Sequence, residues 1–184
     1  NAVNIVGTTA QVTAALVTDA TKVSVSDATV ALDDGETPTI SQLNDIADAT
    51  DGAVTATLAA NTLANFATLA TEGTDVITVT VSDNDSVNLN AETLSALGGK
   101  TAGTVTVSNA VNIVGTTAQV TAALVTDDTK VIASTATVAL DEGQTPTVSQ
   151  LNDIADATDG VVTATLAAAA VSYTHLRAHE TGPY

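Results

Sequence analysis

The sequence predicts an α/β fold, a solenoid in which short strands of a parallel sheet alternate with short helices. Three observations support this prediction. Residues 1–60 recur as residues 109–168 with only eight differences. Several segments with helical spacing of their apolar residues follow residue types that cap helices. Between those segments, apolar residues alternate with Thr, which is typical of a strand with one buried face.

The repeat sets the predicted domain organisation. Copy 1 comprises residues 1–108 and contains four strand–helix units, and residues 109–170 form a truncated copy 2. The chain starts without Met and the repeat stops within its second copy. We therefore interpret the sequence as a fragment of a longer tandem-repeat protein, of the kind recovered from metagenomes.

Helix starts give the length of the unit. They are spaced by 30, 23, 28 and 27 residues, which indicates a unit of about 27 residues. The predicted starts, the last of them in copy 2, are near Thr9, Thr39, Thr62, Asn90 and Thr117.

Capping chemistry supports these helices. Thr8 with Gln11, and Thr39 with Gln42, fit the capping box, in which a hydroxyl and a glutamine satisfy each other's backbone amides. Glycines further along are expected to close three of the helices in a left-handed turn. These glycines are Gly52, Gly73 and Gly98.

The predicted strands are clearest at residues 54–58, 77–81 and 105–107, and weaker at residues 22–25 and 29–32. A strand, a helix and a second strand favour parallel pairing through a right-handed crossover. One such unit cannot bury its apolar face alone, whereas stacked neighbours can. The alternative is a tandem of immunoglobulin-like β-sandwiches, because such modules have about 100 residues.

Composition excludes several functions. The 184 residues carry 21 acidic and 4 basic side chains, a net charge of −17, so we expect no binding to nucleic acid phosphates. No apolar run approaches the roughly 18–20 residues of a membrane span, so no membrane insertion is expected. Cys is absent, and both His residues lie beyond residue 170. With Lys22, Lys100 and Lys130 as the remaining candidate bases, we predict no enzymatic activity.

Two acidic turns contain the candidate metal ligands. Asp33, Asp34 and Glu36 form one turn, and Asp83 and Asp85 form another. Carboxylate oxygens suit Ca²⁺, but neither turn matches the EF-hand loop. Asp also occurs in turns because its side chain bonds to nearby backbone amides. We therefore predict no cofactor and keep these five residues as weak Ca²⁺ candidates.

The last residues differ in composition from the rest. Residues 171–184 contain both His residues and the only Arg. Residues 172–181 resemble the translated sequencing adapter found at the ends of metagenome-derived sequences, so we predict a non-native tail. The alternative, a metal pair formed by His175 and His179, would need further ligands.

Residues 39–46 (TISQLNDI) and 50–58 (TDGAVTATL) resemble units of very large repetitive surface or secreted proteins of bacteria, including marine cyanobacteria. The resemblance implies an adhesin-like protein at the cell surface or outside the cell. Its partners would be neighbouring repeats of the same chain and components of the cell surface or matrix. Two alternatives stay open: a Ca²⁺-dependent binding module, and a non-catalytic part of a secreted enzyme or toxin.

Overall fold

The computed structural model describes residues 3–165, which form an α/β structure whose strand pairs are all parallel. The strands are β1 (Asn4–Gly7), β2 (Thr29–Leu32), β3 (Val54–Thr57), β4 (Val76–Val81), β5 (Asn88–Asn90), β6 (Val105–Val107), β7 (Asn112–Gly115), β8 (Thr137–Leu140) and β9 (Val162–Thr163). The helices are α1 (Thr9–Leu16), α2 (Ile40–Ala47), α3 (Leu63–Phe66), α4 (Ala91–Gly98), α5 (Thr117–Leu124) and α6 (Val148–Asp156). The predicted α/β class with parallel pairing is confirmed. The alternative of immunoglobulin-like sandwiches is wrong for these residues, because sandwiches need antiparallel strands.

The strands form two sheets. One has five strands in the order β1-β2-β3-β4-β6, and the other has four in the order β5-β7-β8-β9. The partners are far apart in sequence: Asn4 is opposite Thr29, and Asn88 is opposite Asn112. The first sheet continues past β6 through an isolated bridge between Thr106 and Ile132.

The helices begin where the capping residues predict. The side chains of Thr8 and Thr39 accept hydrogen bonds from the backbone N–H of Gln11 and Gln42, at 3.3 Å and 3.2 Å, and both capping boxes are complete. Thr62 makes no such bond at the start of α3. There the carboxylate of Asp83, from a later part of the chain, accepts the N–H of Leu63 at 2.7 Å.

The strand predictions are correct at residues 54–58, 77–81 and 105–107, where Thr alternates with apolar residues, and the weaker prediction at residues 29–32 is confirmed by β2. β1, β5 and β7 were not predicted, because their polar Asn residues and short length give no clear alternation. Residues 22–25 were predicted as a weak strand but form none. The equivalent segment of copy 2 contains Ile132, which makes its bridge only because β6 lies beside it.

The apolar core runs through both copies as one cluster of buried side chains. Strands contribute Val30, Ile77 and Val138, and helices contribute Leu43 and Phe66, all at most 1% exposed. Phe66, the only Phe of the chain, is thus a core residue. The core does not stop at the boundary between the two copies, since α4 of copy 1 packs directly on α5 of copy 2.

Glycine has a different role from the predicted one. Gly52, Gly73 and Gly98 do not have positive φ. A Cβ on Gly52 would lie 2.3 Å from the carbonyl oxygen of Ala28, and a Cβ on Gly98 would lie 2.2 Å from that of Thr129. These positions need glycine because two backbones approach closely there, not because a helix closes in a left-handed turn.

The predicted non-native tail, residues 171–184, lies outside the described residues, as do residues 166–170 of copy 2. Within residues 3–165, no helix combines the length and the apolar character that a bilayer crossing requires.

Candidate functional site

The turn after β2 positions Asp33, Asp34 and Glu36. Asp33 continues the pairing of β1 and β2 by donating its N–H to the carbonyl of Gly7 at 3.0 Å. The turn closes with the N–H of Glu36 donating to the carbonyl of Asp33 at 3.1 Å, and Gly35 adopts a φ of 86°. The side chains of Asp33 and Asp34 are exposed.

Glu36 bonds to an earlier part of the chain. Its Oε2 accepts the backbone N–H of Thr9, the first residue of α1, at 2.8 Å. Copy 2 keeps this bond with an uncharged side chain, since Oε1 of Gln144 accepts the N–H of Thr117 at 3.1 Å. The feature that the two copies share is therefore a hydrogen-bond acceptor at the helix start, and a negative charge is not required for it.

The second acidic turn has the same structural role. Asp83 caps α3 through Leu63, and Oδ1 of Asp85 accepts the N–H of Ala110 at 3.0 Å. Ser86, in the same turn, has a positive φ of 63° and donates its N–H to the carbonyl of Ala110 at 2.8 Å. Asp83 and Asp85 thus fasten this turn to neighbouring parts of the chain.

The five candidate ligands do not converge. Within residues 3–165, the structure places no three acidic or His side chains so that they could hold a metal ion together. An open cavity of about 220 Å³ has walls that include Asp48, Asp51, Glu72 and Asp75. Sequence analysis did not select this group.

Asp75 is a buried residue that sequence analysis missed. It is 5% exposed, and its carboxylate accepts the N–H groups of Val54 and Glu72 at 2.8 Å and 2.9 Å. Elsewhere a Thr takes the corresponding position: Oγ1 of Thr101 accepts the N–H of Ile77 at 2.7 Å and that of Gly103 at 2.8 Å. The recurrence of Thr two residues before Gly, as in Thr50-Asp51-Gly52, was an available signal for Thr101 but not for Asp75.

Two of the three candidate lysine bases, Lys22 and Lys100, are engaged in structural contacts. Lys22 forms an ion pair with Asp19 at 2.8 Å. Lys100 donates to the carbonyls of Ala67, at 3.3 Å, and Leu69, just beyond α3. Within the described part of the chain, the ammonium group of neither lysine donates to a Ser or Thr hydroxyl.

Replacing Glu36 with Gln should reduce the loss of stability that the protein shows as the pH falls from 7 to 3. The hydrogen bonds from Thr9 lower the pKa of Glu36 below its ordinary value of 4.5. A carboxyl group whose pKa is lower in the folded than in the unfolded protein stabilises the fold at pH values above its unfolded-state pKa. This stabilisation is lost as the pH falls through the folded-state pKa. Melting temperatures from pH 7 to pH 3 should show the variant less stable at pH 7 and the difference shrinking below about pH 4.5.

Glu142→Gln is the matched control, because the carboxylate of Glu142 makes no hydrogen bond within residues 3–165. It removes one carboxylate charge without removing a hydrogen bond, so it should lower the melting temperature at pH 7 less than Glu36→Gln does. Identical profiles for Glu36→Gln and the unaltered protein would contradict the role given to Glu36.

Calcium and magnesium should stabilise the protein equally. With a net charge of −17, added cations screen repulsion between carboxylates, whatever their identity. Melting curves in millimolar CaCl₂ and MgCl₂ at matched ionic strength are expected to coincide. A Ca²⁺-selective increase that vanishes when Asp83 and Asp85 become Asn would instead show a specific site, through the added binding free energy.

The chain matches no known protein-family model, and comparison with characterised proteins and with solved structures finds no similar protein.

Proposed function

We propose that this chain is a stretch of a structural or adhesive repeat region in a large extracellular or cell-surface bacterial protein, with no catalytic activity of its own. Its units would form an α/β solenoid of about 27 residues each. Its partners would be the neighbouring repeats of the same chain and components of the cell surface or matrix.

The observation that supports this proposal most strongly is the junction between the two copies. β5 pairs with β7 across it, and α4 packs on α5. One apolar cluster includes Leu94 before the junction and Leu124 after it. A junction packed like the interior is what a stacked array requires, whereas independent domains would be joined by an exposed linker.

The spacing of cross-unit contacts also supports it. Hydrogen bonds between neighbouring units join residues 24, 25 and 27 apart, as in Asn88–Asn112, Asn4–Thr29 and Thr9–Glu36. Three of the five candidate acidic residues, Glu36, Asp83 and Asp85, accept backbone N–H groups from parts of the chain 20 to 27 residues away.

Scattering from longer arrays tests the proposal. Proteins with one, two and three tandem copies of residues 1–108 should lengthen in equal steps in small-angle X-ray scattering. Four units at about 4.8 Å each give a step of about 19 Å per copy. Copies that tumble as separate globules, or that merge into a sphere, would contradict the array.

The coding sequence on either side of this chain tests the biological role. Many further repeats would support a surface scaffold. A globular domain with His or Cys residues in a catalytic arrangement would support the alternative, a non-catalytic part of a secreted enzyme or toxin.

A further inference from the structure

The same surface, formed by β1 and α1 in copy 1 and by β7 and α5 in copy 2, has different neighbours in the two copies. β1 pairs only with β2, whereas β7, with the same sequence Asn-Ile-Val-Gly, lies between β5 and β8. Likewise, α1 packs on α2 alone among the described helices, and α5 lies between α4 and α6. Copy 2 therefore shows what covers a surface that copy 1 leaves open within residues 3–165.

We call this surface the β1 face and define it as residues 3–7, 11, 15 and 23–25. Its apolar side chains are exposed where their equivalents are buried: Val3 is 49% exposed and Val111 0%, and Val23 is 56% exposed and Val131 2%. Ile5 and Ala15 are half-buried, whereas their equivalents are fully buried. Exposed valines beside an open strand edge mark a docking surface.

In copy 2 the covering segment is the strand–helix–strand unit of residues 83–108. Its first strand pairs with β7 in a register that places Leu89 opposite Ile113. The N–H of Asn112 donates to the carbonyl of Val87 at 2.9 Å, and the Asn112 side chain donates to that of Asn88 at 2.8 Å.

The rest of the unit completes the contact. Nε2 of Gln119 donates to Oε2 of Glu92, on α4, at 2.9 Å. β6 then pairs with the segment after α5, where the N–H of Ile132 donates to the carbonyl of Val105 at 2.8 Å. Backbone, polar and apolar groups of the surface are thus all matched by a single segment.

We propose that the β1 face binds a strand–helix–strand unit with the sequence of residues 83–108, supplied by a preceding copy of the repeat in the same chain. Strand addition to the β1 edge would give the backbone bonds, and the apolar side chains would set the register. In copy 2, Ser108 is joined directly to Asn109, the equivalent of Asn1, so no linker is needed.

The β1 face retains almost every residue that the unit contacts in copy 2. Asn4 and Gln11 are identical to Asn112 and Gln119. The differences are Ser24 for Ile132 and Val25 for Ala133. Ser24 preserves the backbone N–H, and Val25 is the one larger side chain at a position that is buried in copy 2.

The test adds a copy of residues 83–108 directly before Asn1 of the full chain and measures amide hydrogen exchange by NMR. The amides of Asn4 and Ser24 are the equivalents of those that Asn112 and Ile132 donate across the junction. Exchange at both should slow by at least about tenfold in the extended protein. The amide of Val30, already bonded to Ala53 at 3.0 Å, serves as the internal reference.

The matched control carries Leu89→Asp and Leu94→Asp in the added copy only, which places charges where buried leucines should pack. It should return Asn4 and Ser24 to the exchange rates of the unextended chain. A second background with Val25→Ala makes the surface identical to copy 2 at its buried position. Unchanged exchange at Asn4 and Ser24 in both backgrounds would overturn the proposal, as would protection that persists in the control.

This inference rests on the proposed function, but the two can fail separately. If the arrays lengthen evenly but the amides of Asn4 and Ser24 stay unprotected, the proposed function is supported and the proposed binding at the β1 face is contradicted. If both amides are protected but the arrays scatter as separate globules, the proposed binding at the β1 face is supported and the extended array is contradicted.

Discussion

Leu43→Ala is expected to lower the free energy of unfolding by about 2–4 kcal/mol, through lost transfer energy and the cavity left behind. Leu43 is 0% exposed on α2, in the single core cluster of the described residues. The measurement is urea denaturation followed by circular dichroism, with the midpoint and slope fitted for each variant.

The repeat provides a matched control at Leu151, which occupies the same place on α6. Leu151 is only half-buried, and the residues equivalent to Leu58 and Leu63 lie beyond the described range. Leu151→Ala should therefore cost less than Leu43→Ala. A cost below about 0.5 kcal/mol for Leu43→Ala would show that this face of α2 does not pack against the sheet.

Gly103→Ala is expected to cost about 3 kcal/mol or more, at the upper end of what overpacking produces. A Cβ on Gly103 would lie 2.3 Å from the carbonyl oxygen and 2.6 Å from the carbonyl carbon of Ile77. The obstacle is backbone of β4, which cannot rotate away as a side chain could. The same turn also contains the bond from the Gly103 N–H to Thr101, which a shift of the chain would stretch.

Gly35→Ala separates close approach from backbone conformation. Gly35 has a φ of 86°, but a Cβ added there would have no other atom within 4 Å, so only the conformational cost of about 1 kcal/mol applies. Denaturant titration of both variants gives the comparison. If both substitutions lower the free energy of unfolding equally, the space between Gly103 and the backbone of Ile77 is large enough to accept a methyl group.

Local sequence patterns predict the helices well because capping is a local interaction. Thr39 and Gln42 satisfy each other's amides three residues apart, whatever the rest of the chain does. The Thr-alternating strands β3, β4 and β6 are equally readable, since a period of two places Val54, Ile77 and Val105 on the buried face. The acidic turns were less readable, because composition alone does not show that Glu36 reaches a helix start 27 residues away.

The order of residues along the chain is enough to predict the repeat, the α/β class, the helix starts and the parallel pairing. Which strands have two neighbours, and which residues are buried, became known only from the tertiary structure. Val3 and Val111 make this clear, since the same residue in the same local sequence is half exposed in one copy and buried in the other. The reason is physical: capping and alternation depend on residues a few positions apart, whereas burial and strand pairing depend on a neighbour supplied by another unit.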